Sequence, residues 1–173
     1  MDEFHSVFVS NRGKVWSCGH GQGGRLGTGS DKPALTPVPV SLPNHYICVK
    51  AEVAVNHTLL LLSTGKVLSF GLNTHHQLGI IPYIKFTCRP EMIYMEPFDG
   101  IIKGMCAAKY HSVFYTTNAV YTCGTNAGQL GHKEIHNTSF ITVPKKVTYY
   151  SRTFFFSYFF FSRGNSVDKI LKV

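Results

Sequence analysis

Three histidines, His5, His57 and His111, each precede a hydroxyl residue (Ser6, Thr58, Ser112) and recur at intervals of 52 and 54 residues. A histidine beside a hydroxyl is the raw material of nucleophilic catalysis, and three imidazoles are the raw material of a zinc site. Regular spacing argues against both. Equivalent positions in successive copies of a repeat lie in different copies and face the same way, so they do not converge on one point. Each is expected to be a partly buried imidazole whose ring nitrogens bond backbone groups of a neighbouring segment. His75-His76 sits in a loop without acidic or thiol partners nearby and reads as surface, not as a metal ligand.

The other chemical motifs fail for stated reasons. Gly19-His20-Gly21-Gln22-Gly23-Gly24 satisfies G-x-G-x-x-G after an apolar strand, which is half of a dinucleotide-binding fingerprint. The other half is a helix whose N-terminus meets pyrophosphate, and Gly27, Gly29 and Pro33 break any such helix. Cys18, Cys48, Cys88, Cys106 and Cys123 form no CxxC pair and are odd in number, so reduced, buried thiols are expected. The nine acids are scattered, and none pairs with a nearby histidine as acid–base chemistry requires. No catalytic, cofactor-binding or metal-ligating residue is expected, and no cofactor.

Composition narrows the class. With 44% apolar and only 15% charged residues, and with glycine, aromatic and β-branched residues plentiful, the chain suits strands and tight turns around a core. The net charge of +8 invites nucleic acid or acidic lipid as partner. The bases are dispersed, however, with Lys145-Lys146 the densest group, which reads as a solvated surface. The start Met-Asp-Glu lacks the basic flank and apolar run of a secretory signal, pointing to the cytoplasm, with the nucleus as second compartment. The sequons at Asn56 and Asn137 then carry no meaning.

The elements that must position these residues come from a repeat of about fifty residues. Apolar strands Val15–Cys18, Val67–Phe70 and Val120–Cys123 each end at a glycine, Gly19, Gly71 and Gly124. Leu26-Gly27, Leu78-Gly79 and Leu130-Gly131 follow, then Pro37, Pro90 and Pro144. Alternation after each repeat histidine (Ser6–Val9, Thr58–Leu62, Ser112–Tyr115) marks a second strand. The two strands form a hairpin whose turn holds Gly13, Gly65 or Asn118 at positive φ. Further strands are expected at residues 47–55 and 101–107, ahead of the histidines. A strand-rich period of this length predicts an all-β fold: an incomplete β-propeller of about three four-stranded blades.

The order strand, Gly-x-x-x-x-Gln-Leu-Gly, Pro, Ala-rich strand, His-Ser/Thr, strand, Gly turn resembles the regulator-of-chromosome-condensation repeat. It is carried by Gly71-Leu72-Asn73 with Gln77-Leu78-Gly79, by Gly124-Thr125-Asn126 with Gly128-Gln129-Leu130-Gly131, and by the degenerate Gly23-Gly24-Arg25-Leu26-Gly27. The resemblance implies a ring that is complete at seven blades. Residues 18–27 and 70–82 are similar to the inhibitor of Bruton tyrosine kinase family. That similarity implies a protein–protein interaction scaffold and not an enzyme. It implies binding of a Tec-type tyrosine kinase with negative regulation of its signalling, and recruitment of a cullin-type ubiquitin ligase through domains absent from this chain. The alternatives are a small-GTPase nucleotide exchange factor or chromatin-associated propeller, and a truncated product without function.

Residues 1–147 are expected to be the partial propeller, and residues 148–173 an aromatic low-complexity tail foreign to the fold. From Thr153 to Phe161 the tail is nearly all Phe, Tyr and Ser, too short to cross a bilayer, which takes about 20 apolar residues. These residues are what pyrimidine-rich codons encode, so the tail is expected to derive from intron or frame-shifted sequence. Comparing spliced transcript with genomic DNA tests this, and a contiguous exon encoding Thr153 to Phe161 rules it out. An open ring with such a tail should also be poorly soluble alone. A monomeric, cooperatively melting product would contradict that expectation.

Overall fold

The computed structural model describes residues 4–132 and 139–148, and among them the fold is built almost wholly of strands. The first sheet is β1 (His5–Val9), β2 (Val15–Gly19) and β3 (Ala34–Val40). The second is β4 (Cys48–Val53), β5 (His57–Leu62), β6 (Val67–Leu72) and β7 (Phe86–Met92). The third is β8 (Gly104–Ala108), β9 (His111–Tyr115), β10 (Val120–Asn126) and β11 (Ser139–Lys146). Every pairing is an antiparallel meander in chain order. Two sheets therefore have the four strands expected of a blade, and the first has three among the described residues. The expected aromatic tail falls outside the described residues. No described helix is long and apolar enough to cross a membrane.

The middle sheet shows why these sequences become strands. Every residue of β5, His57-Thr58-Leu59-Leu60-Leu61-Leu62, is buried. Successive side chains of a strand point to opposite faces, and here both faces are covered. Leu59 and Leu61 join Met105, Phe114 and Tyr121 of the third sheet in one core, while Leu60 and Leu62 join Val15 and Val40 of the first sheet in another. A strand sandwiched between neighbours has no polar face, so it reads as an apolar run and not as an alternation. In β1 only one face is packed, with Val7 and Val9 against the first–second core, and Phe8 on the other face is 47% exposed.

The outer strand of each sheet was not placed from sequence, yet its proline explains it. Between Ser17 and Gly19 two residues of β2 are matched by four of β3, from Val38 to Ala34, and the bulge contains Pro37. The same step recurs with Pro90 in β7 and Pro144 in β11. A residue without an N–H is tolerated at a bulge on an edge strand.

Hairpin turns partly depart from expectation. Gly13 and Gly65 do adopt positive φ, 73° and 76°. Asn118 does not, because the third hairpin is one residue shorter: Tyr115 pairs with Val120, where Val9 pairs with Val15. That turn is closed instead by the Thr116 hydroxyl, which accepts the N–H of Asn118 (3.2 Å) and of Ala119 (3.1 Å). The inner strands β4 and β8 are also shorter than the expected 47–55 and 101–107, and β8 starts later.

The repeat glycines of β2, β6 and β10 are fixed by close approach. Gly71 has φ 112° and faces His57, and a methyl there would lie 2.5 Å from the Asn56 carbonyl oxygen and 2.7 Å from His57 Cα. Gly71→Ala should therefore cost about 1–3 kcal/mol or more, read as a lower melting temperature. Gly100→Ala, with nothing nearer than 4.0 Å to the new carbon, should leave melting unchanged.

Candidate functional site

The repeat histidines stand at the start of β1, β5 and β9, opposite the repeat glycines (His5↔Gly19, His57↔Gly71, His111↔Gly124). Lacking a side chain, the glycine leaves the imidazole free to reach sideways into the following sheet. His5 Nε2 lies 2.8 Å from Thr58 Oγ1, and His57 Nε2 lies 2.9 Å from Ser112 Oγ. Each hydroxyl in turn donates to a loop carbonyl: Thr58 to Arg25 (3.1 Å) and Ser112 to Gln77 (2.7 Å). Since the hydroxyl hydrogen is committed to the carbonyl, the imidazole must be the donor, which sets the Nε2–H tautomer at both histidines. A line of imidazole, hydroxyl and carbonyl thus joins each sheet to the next.

A second bond of the same kind lies within each sheet. Ser17, Ser69 and Thr122 donate to the carbonyls of Leu26, Leu78 and Leu130 at 2.6, 2.9 and 3.0 Å. All three leucines are buried, and Gly27, Gly79 and Gly131 follow them at positive φ. The Leu-Gly turn is thereby held at the inter-sheet seam. A methyl on Gly27 would sit 2.7 Å from the Phe70 ring, and one on Gly79 would sit 3.0 Å from Cys123 Sγ.

The expected environment of the histidines needs correction. His5 and His57 are fully buried, not partly, and the partner of Nε2 is a side-chain hydroxyl, not a backbone group. The physical reason is reach: a backbone partner in the facing strand is already spent in its own ladder, whereas a hydroxyl can accept from the ring and donate onward. His111 is only partly buried, and no following sheet stands against it among the described residues. The three do lie close enough to influence one another's charge, but in series along the seam, and no group of three potential metal ligands occurs among the described residues.

Electrostatics agree with a structural role. Burial, then the neighbouring His111 and His5, push the His57 pKa down to about 3, and burial lowers that of His111. A proton added at His57 Nδ1 would be buried without an acceptor among the described residues. The thiols divide: Cys48 and Cys123 are buried, and burial raises them to about 11 and about 12, while Cys18, Cys88 and Cys106 are only partly covered, against expectation.

The other sequence candidates are also placed. Gln22–Gly24 forms a single 3-10 turn, with Gly23 and Gly24 at positive φ, where a nucleotide fold would start a long helix. Arg25, read as a degenerate glutamine position, is buried; it donates to the Gln22 carbonyl and crosses to that of Val55, both at 2.8 Å. His75 and His76 are not plain surface but half-buried in a cluster of tilted rings. Sequence reasoning missed Ser17, Ser69 and Thr122, although their signal, a small hydroxyl two residues before each repeat glycine, was present.

Sheets stacked on shared cores and tied by a recurring buried bond chain define a segment of a β-propeller whose blades are one repeat each. The chain carries regulator of chromosome condensation (RCC1) repeats: the family models match residues 12–61 and 55–77. It is 42% identical over 148 residues to the inhibitor of Bruton tyrosine kinase of Xenopus laevis, covering 84% of this chain and 11% of that protein. It is 32% identical over 146 residues to human protein RCC2, covering 84% of this chain and 27% of that protein. Its fold matches Prp20p of Saccharomyces cerevisiae, a structure described with its binding properties to Gsp1p and histones. The TM-score is 0.74 at 20% identity, over 86% of this chain and 37% of that one. The chain thus spans about a tenth to a quarter of the length of these curated relatives.

Two measurements test the bond chain. Ser112→Ala strands the His57 N–H and leaves the Gln77 carbonyl to the weak Cys123 thiol donor, at 3.8 Å; it should cost about 1–3 kcal/mol in unfolding free energy, whereas Ser112→Thr, which copies Thr58, should be near neutral. The pH effect has a definite sign: with its folded pKa depressed, His57 stays neutral while the unfolded chain takes up a proton. Stability is therefore full above pH about 6.5 and is lost as pH falls toward about 3, by up to about 1.4 kcal/mol per unit. In His57→Gln, whose amide can still donate but does not titrate, that part of the slope should vanish.

Proposed function

We propose that the chain is a segment of a protein-binding propeller that docks a Tec-type tyrosine kinase and thereby restrains its signalling. The observation that supports it most is the 42% identity over 148 residues to inhibitors of Bruton tyrosine kinase, which covers 84% of this chain. The chemistry agrees. Two of the three repeat histidines, His5 and His57, are spent in inter-sheet bonds, and His57 is held neutral, so action by docking and not by bond chemistry fits these residues. Propeller loops are where such platforms bind. In this reading residues 1–147 form the propeller part, the tail stands outside it, and the protein works in the cytoplasm and nucleus. A cullin-type ligase would be recruited by other parts of a longer protein.

A second reading, exchange on a small GTPase or contact with chromatin, draws on RCC2 and on the net charge of +8. Pull-down with the immobilised chain separates the two. The first reading expects retention of a purified Tec-type kinase and none of a small GTPase, and the converse result overturns it.

A further inference from the structure

Outside the inter-sheet bond chain, one surface has features that the fold does not explain. Adjacent strands run antiparallel, so the turn between β8 and β9 and the connection from β6 to β7 leave their sheets at the same end. Five rings meet there, where the second sheet joins the third. His75 packs at a tilt on Tyr110 (4.6 Å between centroids), His76 does the same on Tyr83 (4.7 Å), and Phe140 approaches both histidines at 6.1 and 5.3 Å. The Lys109 ammonium lies 4.9 Å from the Tyr110 ring centre.

Buried core does not account for this cluster. Ile81 is 56% exposed, Tyr83 49% and Phe140 43%, and residues 81–86, Ile-Pro-Tyr-Ile-Lys-Phe, are exposed without a break. Yet the rings are held in place. Asn73 anchors the connection at both ends, its amide donating to the Ile84 carbonyl and its side-chain oxygen accepting from Leu78 N–H, and Gln77 accepts from His75 N–H. A rigid, exposed aromatic and aliphatic surface is the anatomy of an interface centre, since little side-chain entropy is left to lose on binding.

Charge selects the partner. The contributing segments, residues 73–86, 108–111 and 139–141, contain Lys85 and Lys109 and not one Asp or Glu. Lys109 already occupies the ring face that a partner cation would seek, so a basic partner would be repelled. Nucleic acid would use the rings, but the exposed Ile81 and Ile84 offer it neither stacking nor hydrogen bonds, whereas they suit apolar side chains.

We propose that this surface binds an acidic protein segment carrying an aromatic or aliphatic anchor, the anchor on the rings and its flanking carboxylates on Lys85 and Lys109. The proposal rests on the reading of the chain as a protein-binding propeller and names the docking site and the chemistry of what docks there.

Selection from a displayed library of random twelve-residue peptides against the full chain tests it. Enrichment of peptides with Asp or Glu around an apolar anchor is expected. Their affinity, followed by fluorescence anisotropy, should fall about tenfold or more in Tyr83→Ser/Tyr110→Ser and similarly in Lys85→Glu/Lys109→Glu, with melting unchanged in both. Failure to enrich such peptides, enrichment of basic ones, or binding that survives both variants overturns the proposal. So does a uridine oligonucleotide that binds more tightly and is lost in the same variants, or a dimer of this chain that they dissociate. Kinase pull-down run in parallel keeps the two readings apart. Peptide selection without kinase retention refutes the kinase reading alone, and kinase retention by both variants refutes this surface alone.

Discussion

An imidazole N–H, a hydroxyl and a backbone carbonyl, joined in a line and shut away from water, hold each sheet to the next. The arrangement is demanding. Any member left without its partner at that depth costs about 1–3 kcal/mol, so the line works complete or not at all. Much else follows from it. Gly71 must lack a side chain because His57 crosses in front of it, and the loop carbonyl must be presented at the seam, which the Leu-Gly turn and the Ser69 hydroxyl arrange.

Around this polar line the packing is apolar and shared. In the middle sheet, β5 contributes alternate leucines to two different cores, so that strand has no exposed face to satisfy and no face of its own. Such a strand cannot be stable away from both neighbours, and stability in this architecture is chiefly a property of interfaces between repeats. Hydrophobic contact by itself is tolerant of sliding, whereas a hydrogen-bonded line with one allowed tautomer is not. The cores supply the driving force, and the line sets where one sheet sits against the next.

The same constraint separates scaffold from surface. Residues at the seam are committed to one another, His57 to the point of staying neutral well below physiological pH. What is left for recognition is the set of connections leaving the sheet ends, where the run from Ile81 to Phe86 and the rings of Tyr83, Tyr110 and Phe140 face outward. Backbone anchored by Asn73 and Gln77 lets such side chains be exposed without being loose.

Much of this was legible in the chain itself, because a repeat writes every structural requirement several times. One glycine says little, but Gly19, Gly71 and Gly124, each at the end of an apolar strand and each followed by Leu-Gly, identify a blade and its turn. Tertiary structure alone decided who meets whom. Ser112 bonds His57, 55 residues away, and nothing local distinguishes that partner from a nearby carbonyl. Asn118 failed as a positive-φ residue because its hairpin is one residue shorter, and His75 and His76 became part of a ring cluster because Tyr110 and Phe140 come from the next sheet. Local sequence sets conformation through sterics and propensity, whereas contacts between sheets depend on chain closure over tens of residues, which only the folded arrangement resolves.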